Sequence, residues 1–456
     1  MRRGLVLLAL IAAGEAVFFL PFVLARVFRP TLLDVFGITN LELGTAFSLY
    51  GVVAMVAYFA GGPLADRFSA RRLMAVALLA TGLGGVVLAG FPTPRTMNIL
   101  WAFWGMTTVL LFWAAMIRAT REWGGRTMQG RAYGLLDGGR GLLAALVATI
   151  SVAVFAALLP GEASSATPEE LATAFRGVIW VFTGITLGIA VLVWLFVPDS
   201  TPDSDTGGRP KLTLQGVRAA CRMPAVWLQA LIVICAYTGY KATDDFSLLS
   251  RDALGFDDVQ ASTIGTLAFW IRAAAAVTAG YLGDRLDASR VIVGGFAILI
   301  GGCLLIASGV VVPGPAWMLI VTIVTTSVGI YALRGVYFAL LAEGAVPFAY
   351  TGSAAGVVSV LGFTPDVFMG PLMGVLLDNS PGLPGHQHVF AAVAGFGAIG
   401  LLAALAFRRV TRASQARAEY SQGDLGGTAT VVGDIVGPAV PEDQWEALRD
   451  NDPADN

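Results

Sequence analysis

Charge is scarce in this 456-residue chain, at 13% of its residues, where soluble domains carry roughly 25%. With 56% hydrophobic residues, it has too few polar side chains to cover a water-facing surface. That excludes a soluble globular protein and leaves a polytopic membrane protein. Cysteine is nearly missing too. Cys221, Cys235 and Cys303 show no pairing or metal-ligand spacing and read as small apolar fillers. The only histidines, His386 and His388, fall in one short Pro/Gly-rich stretch and read as polar loop residues, with no further ligands to complete a metal site. No nucleophile–base set stands out, so an enzyme is not expected. Neither a cofactor, a metal nor a nucleic-acid partner is expected. The bases are almost all Arg, which reflects genome composition.

Long apolar runs are what the chain has in abundance. A spanning helix needs about 20 apolar residues, and roughly 12 such runs follow one another: 4–28, 44–65, 73–91, 97–117, 132–159 and 174–197, then 224–246, 260–283, 291–312, 316–341, 352–377 and 389–407. The first run continues past Leu20 without a small-residue cleavage site, so it reads as a membrane helix and not as a signal peptide. Between the sixth and seventh runs lies PDSTPDSDTGGRPK, a polar linker. The expected division is a six-helix bundle over 1–197, a linker over 198–223, a second bundle over 224–407, and a disordered tail over 408–456. Gly pairs at four-residue spacing, such as Gly134/Gly138, Gly352/Gly356 and Gly370/Gly374, predict close helix contacts.

One loop occurs twice. GPLADRFSARR (Gly62–Arg72) is echoed by GYLGDRLDASR (Gly280–Arg290). Asp284 follows Asp66 by about 218 positions, close to half the chain. Arg2, Arg3, Arg67, Arg71, Arg72, Arg121, Arg126, Arg131, Arg209, Lys211, Arg218, Arg222, Arg285, Arg290, Arg408, Arg409, Arg412 and Arg417 all fall on one side of the expected topology. Only Arg29, Arg95, Arg176 and Arg251 fall on the other. This bias predicts that both termini, the linker and both repeat loops face the cytoplasm.

A second set of charges lies inside the apolar runs. The bases are Arg26, Arg118, Arg140, Lys241, Arg272 and Arg334, and the acids are Glu15, Asp137, Asp244, Asp245 and Asp366. Each would cost on the order of 3 kcal/mol facing lipid near the midplane, so most must face a wet cavity or one another. Lys241 follows Arg26 by about 215 positions and Arg334 follows Arg118 by about 216, nearly the offset of the repeated loops. A symmetric repeat would set each pair at equal depth around one cavity. Such a cationic box suits an anion. For Arg118, snorkelling to the interface beside Arg121 and Glu122 is the competing expectation. Asp137 and Arg140, spaced i,i+3, are expected to neutralise each other in a structural or gating pair. Glu15 and Asp366 either carry protons or pair with a base. Asp66, Arg67, Arg71, Asp284 and Arg285 are expected to hold and release conformations at the loop boundary. Tyr50, Tyr58, Tyr237, Tyr240 and Trp270 are candidates to line the cavity.

The repeated G-x-L-x-D-R loop between two membrane helices resembles the signature loop of the major facilitator superfamily, with Ser69 where a Gly is usual. The resemblance implies an all-α membrane protein of 12 helices in two pseudo-symmetric six-helix bundles. Within that superfamily, PFVLARVFRP, WAAMIRATREW, YTGYKATDDF and GSAAG resemble the organophosphate:phosphate antiporter group and related sugar-acid transporters. That resemblance implies an anion read by Arg26 and Lys241; Arg334 is expected to help them. Lys241 replaces the group's usual Arg, Tyr58 stands at the group's helix-2 lysine, and its helix-5 histidine has no match. Phosphate, carboxylate and sulfonate therefore all stay open. The expected protein is a secondary active carrier of a small organic anion in the inner membrane, a monomer, with phosphate or a proton as coupling ion. Two alternatives are a proton-coupled symporter of a neutral or weakly acidic solute and a non-transporting ligand sensor.

Overall fold

The protein, seen in a computed structural model, is described over residues 2–125, 129–199, 214–310, 315–344, 346 and 351–425. Twelve helices among them are long and apolar enough to cross a membrane: α1 (Arg3–Val27), α2 (Asn40–Ala65), α3 (Ala70–Ala89), α4 (Pro94–Gly124), α5 (Gly134–Leu158), α6 (Pro168–Phe196), α7 (Pro224–Leu254), α8 (Asp258–Gly283), α9 (Ala288–Ala307), α10 (Ala316–Val336), α11 (Ser353–Asn379) and α12 (Leu383–Ala413). Several extend beyond the apolar runs because their ends carry polar caps. Thr39 with Glu42, Thr167 with Glu170, and Asp257 with Gln260 form capping boxes at the starts of α2, α6 and α8, each satisfying two otherwise orphaned backbone N–H groups.

In the first half, α3 packs on α6, α2 on α4, and α1 on α5 and α6; in the second, α10 packs on α8 and α9, and α7 on α11. The halves meet where α2 crosses α11 and α5 crosses α8. Glycine sets the first crossing. A Cβ at Gly44 would stand 2.2 Å from the Gly370 carbonyl oxygen, and one at Gly374 2.4 Å from Leu41 Cα. Residues of α2 and α11 therefore touch backbone to backbone, as small-residue pairs allow in lipid. This contact lies toward the face where α1 ends and α2 begins, called here the far face.

Polar contacts lock the far face. Asp378, at the end of α11, accepts from the backbone N–H groups of Asn40 at 3.1 Å and Leu41 at 2.8 Å. A carboxylate from one half thus caps a helix N-terminus of the other. Arg29 donates twice to Asn40 Oδ1, at 3.2 and 2.8 Å. Thr31 pairs with Asp258, and Arg251 with Asp34.

Four sequence expectations change here. His386 and His388 lie in helix, not in a loop. His386 is fully buried, its Nδ1 2.6 Å from Asp245 and its Nε2 3.1 Å from Asp252; its partners come from α7, far away in sequence. The segment expected as a disordered tail from residue 408 is helical as far as Leu425, and residues 426–456 lie outside the described residues. The linker expected over 198–223 contains a helix, Leu214–Cys221, while 200–213 lie outside the described residues. Trp270 is exposed on α8, its indole N–H donating to the Thr149 hydroxyl of α5 at 3.0 Å.

The α2–α11 crossing is testable. Gly370→Ala places a methyl about 2.5 Å from the Gly44 carbonyl oxygen, and overpacking of this kind costs about 1–3 kcal/mol. A lowered Tm of the purified protein in detergent is expected. An unchanged Tm would mean that the two backbones do not approach this closely.

Candidate functional site

Breaks in regular helix position the central residues. α1 loosens into a wide π-type turn at Phe19–Val23, around Pro21, just before Arg26. α4 does the same over Met106–Trp113. α7 tightens into a 3₁₀ turn at Thr243–Asp245, separated from Lys241 by one residue. α11 breaks between Gly362 and Pro365, directly before Asp366. Non-helical backbone at membrane depth is tolerated where it is buried in protein or lines a cavity, and these breaks surround one.

The cavity has a volume of about 480 Å³ and is walled by α1, α2, α4, α5, α7, α8, α10 and α11. Its mouth lies at the face opposite the lock, where Gly134, Asp137, Val277 and Phe338 are exposed. Five bases line it: Arg26, Arg140, Lys241, Arg272 and Arg334. Arg140, expected in a structural or gating pair with Asp137, and Arg272, left unassigned in the sequence reading, are both among its lining bases.

Arg26 and Lys241 do meet, but through acids. Arg26 Nε lies 2.6 Å from Asp244 Oδ1, and Lys241 Nζ lies 3.4 Å from Asp244 Oδ2. Lys241 also lies 3.4 Å from Asp366, whose two oxygens accept from the Tyr237 hydroxyl at 3.2 and 3.0 Å. The expected cationic box is thus a chain of two bases and two acids that neutralises itself. The physical reason is desolvation, since unpaired charges at this depth cost several kcal/mol each. The Lys241–Asp244 spacing of i,i+3 was the available signal. The reach of Asp244 across to α1 had none.

A second chain lies toward the mouth. Glu15 holds Arg272 at 3.1 Å and Arg140 at 3.3 Å, joining α1 and α5 to α8 of the other half. Asp137 is 69% exposed and lies 3.7 Å from Arg140, so the expected mutual pair is the looser of Arg140's two contacts. Glu15 and Asp366 are both ion-paired, one of the two outcomes expected for them.

Arg334 differs from the other four bases. Among the described residues it has no carboxylate within ion-pair distance, and its Nη1 has no hydrogen-bond partner. Its guanidinium instead lies 3.7 Å over the Tyr240 ring and 5.4 Å from Tyr237. Arg26 packs on the same Tyr240 ring, 4.6 Å from its centroid, and donates to the Tyr240 hydroxyl at 3.0 Å. Tyr50, Tyr58, Tyr331 and Tyr337 complete an aromatic wall.

The remaining expected residues lie elsewhere. Arg118 is not among the cavity's lining residues. It donates to the carbonyls of Ala65 at 2.7 Å and Phe68 at 3.3 Å and pairs with Glu122 at 2.7 Å, so a base satisfies the C-terminal carbonyls of α2. Arg71 and Arg72 pair with Asp199 at 2.5 and 3.3 Å. The Ser69 hydroxyl, which also caps α3, and these two guanidiniums hold the Asp199 carboxyl below its ordinary range. Arg67 is exposed, and Arg285 packs over Tyr281 at 4.5 Å. The side chains of Asp66 and Asp284 lie outside the described residues.

Residues 6–250 match the family model described as Major Facilitator Superfamily. Inner membrane protein YqcE of Escherichia coli (strain K12) is 25% identical over 92% of this chain and 98% of its own. Inner membrane protein YihN of the same organism is 24% identical over 89% and 95%. Among solved structures, the nucleoside transporter NupG is similar at a TM-score of 0.69 and 15% identity, covering 89% of this chain and 99% of its own. FucP, a Major Facilitator Superfamily transporter solved in the outward conformation, is similar at 0.58 and 14% identity, covering 89% and 98%.

The Glu15 bridge yields a stability prediction. Glu15→Gln leaves Arg140 and Arg272 buried without their shared carboxylate, a loss that costs about 3–5 kcal/mol. The variant is expected to unfold at clearly lower temperature, with Glu15→Asp falling between. Wild-type thermal stability for Glu15→Gln would mean that the bridge contributes nothing.

Proposed function

The chain belongs to the Major Facilitator Superfamily, and on that premise we propose that this transporter is a secondary active carrier of a small organic anion. One observation carries the reading: in a cavity lined by five bases, the guanidinium of Arg334 has no carboxylate partner among the described residues. Arginine offers a planar set of donors that matches a carboxylate, sulfonate or phosphate edge. The volume of about 480 Å³ is within the range of small-molecule sites, and the tyrosine wall suits the face of a sugar-sized body.

Arg334 is the anchor in this reading, and Tyr237 and Tyr58 frame the ligand. Arg26 and Lys241 shape the site through Asp244 and Asp366. The Arg excess in the loops of the mouth side supports a cytoplasmic mouth, in an inner membrane like that named for the two Escherichia coli relatives. The cavity then faces inward. Release of the Asp378, Asp258 and Arg251 contacts would open the far face while the Glu15–Arg272 bridge holds the near one. The two halves rock about a midplane site in this way. Asp137 and Arg140 gate the mouth, and the Arg71–Asp199 pair keeps the α2–α3 loop attached to its own half as it moves.

Arg334→Gln tests the anchor. Arg334 has no acid partner among the described residues, so its neutralisation strands no charge, and normal membrane insertion and Tm are expected. Uptake of organic anions into proteoliposomes should fall by about tenfold or more, the loss of one charge-assisted contact of about 1.5–3 kcal/mol. Unchanged uptake would remove Arg334 from the site.

A further inference from the structure

We propose that the cavity selects its substrate by charge number, admitting an anion that brings one negative charge, such as a sugar carboxylate or sulfonate, and turning away a phosphate ester that brings two. The inference rests on the organic-anion reading above and adds the valence of the substrate. Four of the five lining bases already hold a carboxylate. Arg26 and Lys241 share Asp244, Lys241 also holds Asp366, Glu15 lies between Arg140 and Arg272, and Asp137 at the mouth stands 3.7 Å from Arg140, so four carboxylates balance four bases. Arg334 alone, among the described residues, is left for a ligand.

The acids that fill the other bases are fixed in place. Asp366 follows the break in α11 and is held through both oxygens by the Tyr237 hydroxyl. Asp244 is buried and gripped from two helices. One guanidinium satisfies one carboxylate or sulfonate group. A phosphate monoester carries about −1.5 to −2 at pH 7, so its second charge would have to compete with Asp366 for Lys241. Asp366 is therefore a specificity-determining residue, a built-in anion that occupies the place of a second ligand charge.

The test uses the full chain, purified in detergent at pH 7.5, with glucuronate and glucose 6-phosphate as probes in titration calorimetry. Wild type is expected to bind glucuronate tighter by on the order of tenfold or more, since an uncompensated buried charge is penalised. Asp366→Asn frees Lys241 and is expected to reverse that preference. Should this variant fail to fold, Tyr58→Lys adds a base to the same wall and is expected to act in the same direction. Equal or tighter binding of glucose 6-phosphate by wild type would overturn the charge rule. An unchanged preference in a folded Asp366→Asn variant would overturn the role of Asp366. Failure of both anions to bind wild type, with a neutral sugar binding instead, would overturn the organic-anion reading itself.

Discussion

Desolvation of charge is the constraint on which this architecture depends. A charged side chain facing hydrocarbon near the midplane costs on the order of 3 kcal/mol even on the lenient scale, and five bases with three acids lie deep between the helices, besides Asp137 at the mouth. They are retained because a cavity walled by eight helices keeps them off the lipid and because acids from one half meet bases of the other. Asp244 on α7 takes Arg26 of α1, and Glu15 on α1 takes Arg272 of α8. The same pairs that make burial tolerable therefore also tie the halves together.

These ties are spread along the depth of the protein, in one set at the far face and another toward the mouth. At the far face, Asp378 caps α2 and the glycines of α2 and α11 bring the backbones into contact. Toward the mouth, the halves are joined by the ion pairs around Glu15 and by the packing of α5 on α8. Short polar contacts and small-residue packing separate without leaving large apolar surfaces exposed, whereas a core of interdigitated aromatics would not. The aromatic packing is found within each half, as in Phe19 against Phe182 and Phe246 against Phe390. Strength within halves and weaker contacts between them are what a rocking bundle requires.

Much of this was legible in the chain. The spans could be read from hydropathy because lipid imposes length and composition directly. The meeting of Arg26 and Lys241 at one depth could be read from their offset, because duplication preserves depth. What could not be read was the partner of each charge. Arg272 and Glu15 lie 257 positions apart, and no local period links them. Arg118, matched to Arg334 by the same offset, serves helix-end carbonyls instead. Symmetry of position did not carry symmetry of role, since a base near a helix end finds backbone acceptors and one at mid-depth does not. His386 looked like a loop residue because Pro and Gly surround it. Its burial depends on Asp245 and Asp252, about 140 positions earlier, and the neighbouring sequence does not encode that contact.

The paired charges also bear on how a loaded carrier moves. Closing the mouth withdraws water from the cavity and raises the energy of any net charge left inside. On the proposed reading, four bases are balanced by four carboxylates, Asp137 at the mouth included, and the charge left over among the described residues belongs to Arg334. A ligand that cancels it lowers the barrier to closure. An empty cavity keeps that charge and the wet opening that solvates it. In the proposed carrier, the ion pairs that first appear as a structural necessity of burial thus set a threshold: closure is favoured when the last base is matched, and the matching group is the proposed anion.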